Sequence, residues 1–116
     1  MLIETFRSEE ATLVHVLEER IDAAVAVQFK DAMRDLASEG NRRVILDLSC
    51  VQFLDSSGLG AVIGAMKQMP PDAKMELAAM TPAVAKVFRL TRMDSIFTIH
   101  ETVPPSVLGS PDTAHA

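Results

Sequence analysis

One short stretch of the chain carries the residue types that do chemistry, Phe53-Leu54-Asp55-Ser56-Ser57-Gly58-Leu59-Gly60. Two adjacent hydroxyls follow a carboxylate and precede an apolar pattern of helical period. Serine at such a place has two uses. One is capping, in which the side-chain oxygen accepts from an orphan backbone N–H of the first helical turn and contributes about 1 kcal/mol. The other is modification. A phosphate on Ser56 or Ser57 meets the exposed N–H groups and the positive dipole end of the helix, so it is held with little rearrangement, yet it adds roughly −1.5 to −2 charges to the surface. Beside Asp55, on a chain whose net charge is already −5, that addition repels an acidic partner and desolvates poorly in a packed interface. Such a site works as an off switch for binding.

The glycines argue for more than capping. Gly58, Gly60 and Gly64 are three of the five in the chain and fall inside one expected helix, each costing up to about 1 kcal/mol relative to Ala. Either the helix packs its backbone against a neighbour, or another molecule approaches the helix start closely. Local rules broken together in one place mark a functional region.

These residues need a strand to deliver them and a helix to carry them away. Thr12 to Leu17 and Arg43 to Leu48 are β-branched and aliphatic, with Val44, Leu46 and Leu48 on one face, and read as strands. Met1 to Phe6 is expected to be an edge strand, joined through a turn around Ser8 to Ala11. Val25, Phe29, Ala32, Met33 and Leu36 recur at helical spacing over residues 23 to 38, with Gly40 and Asn41 as the stop. Leu59, Val62, Ile63 and Met66 give a second helix, ended by Pro70-Pro71. Lys74 to Ala79 reads as a strand. Thr81 as cap before Pro82 opens a third helix through Val84, Val87 and Phe88, and Ile96 to Ile99 reads as a last strand. Val107 and Leu108 support at most one helical turn in a loose tail over 102–116. The order ββαβαβαβ implies crossover connections, hence an α/β domain with a mostly parallel or mixed sheet and helices packed on it. The segment Asp55 to Gly60 then lies at a strand's carboxyl end, where α/β sheets present their binding groups.

Val44-Ile45-Leu46-Asp47-Leu48 followed by Phe53-Leu54-Asp55-Ser56-Ser57-Gly58-Leu59-Gly60 resembles the STAS domains of bacterial anti-sigma factor antagonists. Thr81-Pro82-Ala83-Val84 and Met93-Asp94-Ser95-Ile96-Phe97 agree with later segments of that family, and the likeness spans roughly residues 10 to 100. The resemblance implies a single STAS domain over residues 1–101. It implies that Ser56, the first serine after the aspartate, is phosphorylated by an anti-sigma factor that is itself a serine kinase, with a serine phosphatase reversing the step. The unmodified form then binds the anti-sigma kinase and frees a sigma factor. Asp55, Ser57, Gly58, Leu59 and Gly60 are the implied partner-binding residues around it. Asp22 resembles the aspartate that follows the family's second strand near the kinase contact surface, and Glu19 stands where the family usually has a glycine. The other reading of the same fold is a constitutive STAS subunit of a membrane transporter ATPase or stress-sensing assembly, in which the serines only cap.

Other chemistries are not expected. Asp47 and Asp55 read as loop or surface carboxylates without a histidine at hand, and Ser56 has Leu54, not glycine, two residues earlier, so no nucleophile elbow is present. His15, His100 and His115 have no metal-ligand spacing, and the glycines form neither a phosphate loop nor a dinucleotide fingerprint. No cofactor or metal is implied. Eleven basic against sixteen acidic residues argue against nucleic acid. The lone Cys50 reads as a buried small hydrophobe and, with no signal segment or membrane span, the expected setting is cytoplasmic. Met33 and Met66 fall on apolar stripes, Met93 is the methionine expected at an interface, and Arg89 and Arg92 read as a solvated helix end.

Overall fold

The computed structural model describes residues 1–105; the tail from residue 106 onward, with Val107 and Leu108, lies outside them. Five strands make one mixed sheet. Ile3–Arg7 (β1) turns back through Ser8 onto Thr12–Val16 (β2), antiparallel. The turn is closed by the Ser8 hydroxyl, which accepts from the Ala11 N–H at 3.2 Å, while the Ser8 N–H donates to the Ala11 carbonyl at 3.0 Å. β2 lies parallel to Arg43–Asp47 (β4), which lies parallel to Lys74–Ala78 (β6), and Thr98–His100 (β7) completes the order β1-β2-β4-β6-β7.

Side-chain alternation along the strands sorts the two faces. Val14, Val16, Val44, Leu46, Met75 and Leu77 form one buried face, against which the three helices pack: Ala23–Ser38 (α1) through Phe29, Met33 and Leu36, Ser56–Lys67 (α2) through Ala61, Val62 and Ala65, and Pro82–Leu90 (α3) through Val84 and Phe88. Each of the larger side chains contributes about 1.5–3 kcal/mol by leaving water, so this face holds the domain together. Phe88 and Phe97 meet edge to face, 5.8 Å between ring centroids.

The structure departs from the expected order in defined ways. A second, two-stranded parallel ladder joins Arg20–Ile21 (β3) to Phe53–Leu54 (β5); two residues are too few to leave a period in the sequence. The last strand begins at Thr98 rather than Ile96, because Arg92, at φ 62°, reverses the chain into a 3-10 turn over Met93–Ser95 and Phe97 drops into the core. Thr81 does stand at the N-cap of α3, but its hydroxyl donates to the Val51 carbonyl at 2.8 Å and not to its own helix. Met93 is half-buried and packs against the core.

The opposite sheet face carries polar clusters. Glu76, 4% exposed, accepts from Arg43 Nε and Nη2 at 2.8 and 3.0 Å, and His100 Nε2 lies 2.7 Å from its Oε1. The Arg43 hydrogen bonds hold the Glu76 carboxyl below its ordinary range, against burial, which pushes the other way, and the His100 contact adds to the lowering. Asp47 is buried rather than a surface carboxylate, and it has a histidine nearby after all: Oδ1 accepts from the Ser49 N–H at 2.9 Å, and Oδ2 is 4.0 Å from His15 Nε2. Cys50 is half-buried, with Sγ 3.5 Å from the same His15 nitrogen, so it is not the enclosed small hydrophobe its apolar neighbours suggest.

Candidate functional site at the start of the second helix

The β3–β5 ladder positions the site. Its register pairs Arg20 with Phe53 and Ile21 with Leu54, and the Glu19 carbonyl accepts from the N–H groups of Gln52 and Phe53 at 2.7 and 3.1 Å. The residue after each strand is an aspartate. Asp22 is the N-cap of α1, its Oδ1 accepting from the Ala24 N–H at 3.0 Å, and Asp55 is the N-cap of α2, its Oδ1 accepting from the Gly58 N–H at 2.9 Å. Two helices therefore start side by side from one short ladder. Among the described residues the only non-glycine positions with positive φ are Ala79 and Arg92, so Glu19 sits in ordinary backbone conformation and Asp22 keeps its place at the helix start without a glycine before it. Asp22 follows this short strand, not the second strand of the main sheet.

The serines do not cap. Asp55 supplies the capping oxygen, and Ser56 and Ser57 are the first two residues of the helix proper, both exposed. Adjacent Asp and Ser are almost equally good caps, so the sequence alone left the helix start ambiguous by one residue. Because the carboxylate meets the orphan N–H, the Ser56 hydroxyl is not needed for helix stability.

The glycines divide between the two explanations. Gly58 is buried, and a methyl on its Cα would sit on the Ile21 carbonyl oxygen, well inside van der Waals contact, with Leu54 also in the way. This is backbone packing of α2 against β3. Gly60 is exposed, and a methyl there meets nothing within 4 Å, so its freedom is not used by the fold. Gly64 faces the Lys30 stem, 3.8 Å from where its Cβ would be. Leu59 is half-buried and packs against the core, so it supports the helix more than it projects from it.

Two neighbours escaped sequence reasoning as site residues, Arg20 and Phe53. The Phe53 ring is 40% exposed, and the Arg20 guanidinium carbon lies 4.1 Å from its centroid. Arg20 Nε also donates to Asp22 Oδ2 at 3.3 Å. Only the cross-ladder pairing brings these side chains together, and nothing in either local sequence announces it. The helix start thus assembles Asp22, Asp55, Ser56, Ser57 and Gly58 with Arg20 and Phe53, an exposed hydroxyl pair beside one cation, two carboxylates and an accessible aromatic ring. Among the described residues, no group of three or more His, Cys, Asp or Glu is arranged to hold a metal ion, and no helix is long and apolar enough to cross a membrane.

Comparison with known proteins agrees with this architecture. BtrV of Bordetella bronchiseptica, assigned as an anti-sigma factor antagonist, is 29% identical over 91 residues, 78% of each chain. The crystal structure of an anti-sigma factor antagonist from Mycobacterium paratuberculosis superposes with a TM-score of 0.81 at 22% identity, over 92% of this chain and 90% of that one. The phosphorylated form of the Bacillus cell fate determinant SpoIIAA gives a TM-score of 0.63 at 19% identity, over 84% of this chain and 90% of that one. The family profile described as STAS domain matches residues 3–104, and the chain belongs to the STAS domain family.

Proposed function

We propose that this protein is an anti-sigma factor antagonist, a non-enzymatic cytoplasmic module whose unphosphorylated form binds an anti-sigma serine kinase and thereby frees a sigma factor. Phosphorylation of Ser56 by that kinase ends the binding, and a serine phosphatase restores it. The partner-facing residues are Asp22, Asp55, Ser57 and Gly60, with Gly58 and Leu59 setting the helix from beneath.

The observation that carries this reading is the division of labour at the helix start. Asp55 holds the cap, which leaves the exposed Ser56 hydroxyl free to take a phosphate without loss of the helix. A phosphate there meets the positive end of α2. It also sets two negative charges beside Asp55 and Asp22, on the surface that must be desolvated when a partner docks. In a constitutive subunit, where the serines only cap, the hydroxyl of Ser56 would be doing the work that Asp55 does here.

The test is incubation with the cognate anti-sigma kinase and MgATP, followed by phosphopeptide mapping and affinity measurement. Phosphate on Ser56 and at least a tenfold loss of kinase affinity in the phosphorylated protein are expected, with Ser56→Ala binding normally and taking no phosphate. Modification absent from Ser56, or unchanged affinity after it, sinks the switch. A transporter ATPase recovered as the main partner would favour the constitutive reading.

A further inference from the structure

We infer that Arg20 is the receiver of the phosphate on Ser56: once the phosphate is present, the guanidinium exchanges the Asp22 carboxylate for it and leaves Asp22 unpaired at the start of α1. This rests on the reading of Ser56 as a modified residue and adds to it a named intramolecular partner.

Arg20 is built to reach that point. Its ladder partner is Phe53, and Ser56 lies three residues past Phe53, about 10 Å of extended chain at most, which the arginine stem and the phosphoserine side chain close from opposite ends. The direction is right, because Nε already points forward along the strand to Asp22 Oδ2, and Asp22 leaves the ladder beside Asp55. The Phe53 ring holds the guanidinium plane at 4.1 Å, so part of the ordering entropy is met before any phosphate arrives.

Arg20 is also free to change partner. Its side chain is 59% exposed, and its bond to Asp22 is a single one of 3.3 Å, longer than a well-made charged hydrogen bond. A phosphate offers three acceptor oxygens and nearly twice the charge of a carboxylate, matched to the two-pronged donor edge of arginine. The charged groups on the elements that meet here are Asp55 on α2, Asp22 and Glu19 flanking β3, Arg20 itself, and Lys86 and Arg89 on α3, which packs against β5, while Lys30 of α1 lies against Gly64, further along the helix. Arg20 is the cation that the ladder holds against Phe53, three residues before the serine.

The unpairing of Asp22 gives the switch a second arm. Phosphorylation then changes both helix starts, adding charge at α2 and uncovering the carboxylate at α1, although only one residue is modified.

Phosphoserine incorporated during translation at position 56 tests this without any kinase, in the full chain, as wild type, Arg20→Gln and Arg20→Lys. Titration by phosphorus NMR reads the second ionisation of the phosphate. The wild type is expected to ionise about 0.5–1 pH unit lower than Arg20→Gln, with Arg20→Lys in between because it keeps the charge and loses the fork. Amide chemical shifts confirm that each variant keeps the fold, and if Arg20→Gln fails to fold, the wild-type to Arg20→Lys difference carries the test. Superimposable titrations of wild type and the folded variants overturn the inference. Because the phosphate is installed directly, a kinase that ignores Ser56 defeats the proposed switch while leaving this measurement readable.

Discussion

The two helix starts fed by the β3–β5 ladder are near copies in backbone and opposite in use. Each follows a two-residue strand, each begins on an aspartate whose Oδ1 accepts from a backbone N–H of the first turn, and each helix then packs on the same sheet face. After Asp22 come Ala23 and Ala24; after Asp55 come Ser56, Ser57 and Gly58. The first start spends its opening residues on helix propensity, the second on two hydroxyls and a glycine that admits the Ile21 carbonyl. A carboxylate caps both, so the difference lies in what the next residues are released to do.

The two starts differ most at the glycine. Gly58→Ala is expected to cost about 3 kcal/mol or more, because the obstructing atom is a backbone carbonyl that cannot move aside without opening the ladder; urea unfolding measures it, and a loss under 1 kcal/mol would mean that α2 is free to shift.

Glu76 lies away from both starts, on β6. Glu76→Gln is expected to cost roughly 2 kcal/mol by leaving Arg43 with a weaker partner. It should also flatten the acid limb of stability. The folded Glu76 carboxyl is held below its unfolded value, so its contribution is full above the ordinary carboxylate range, about pH 4, and is lost as pH falls through the lowered folded value. Thermal unfolding between pH 3 and 7 reads this directly.

Smaller effects sharpen the likeness. Asp22→Ala and Asp55→Ala should each lower stability by about 1 kcal/mol, and unequal losses would show that one start depends on more than its cap. Gly60→Ala, in open space, is expected to raise stability by up to about 1 kcal/mol, in contrast with Gly58→Ala one residue pair earlier. Ser56→Ala should leave unfolding within about 0.5 kcal/mol of wild type, since the hydroxyl carries no cap; a larger loss would return the serine to a structural role.

What the sequence made legible follows the length over which a pattern runs. α1 has its apolar stripe over sixteen residues and is found at Ala23–Ser38, where the spacing of Val25, Phe29, Met33 and Leu36 places it. The five main strands were legible from their β-branched and apolar runs, the last of them starting two residues later than read, and the segment after Leu54 from its hydroxyls and glycines. The β3–β5 ladder was not, because two residues carry no period, and with it went Arg20 and Phe53, whose meeting depends on a pairing between distant parts of the chain. The cap was left open for a related reason. Asp55 and Ser56 are neighbours with similar capping strength, and the choice between them is made by where the ladder ends, which is a tertiary fact. Likewise Asp47 and Cys50 meet His15 only because β2 lies alongside β4.

The ladder also has a kinetic meaning. Its two strands are separated along the chain by the whole of α1 and β4, so its closure carries a loop entropy like that of β2 on β4 while returning only a two-residue ladder. Contacts made after the rate-limiting step govern how fast a protein opens, not how fast it forms. With so little returned for that closure, the ladder is expected to form after the main sheet, and substitutions at Gly58 or Ile21 should then shorten the lifetime of the assembled helix start while leaving the refolding rate of the domain nearly unchanged.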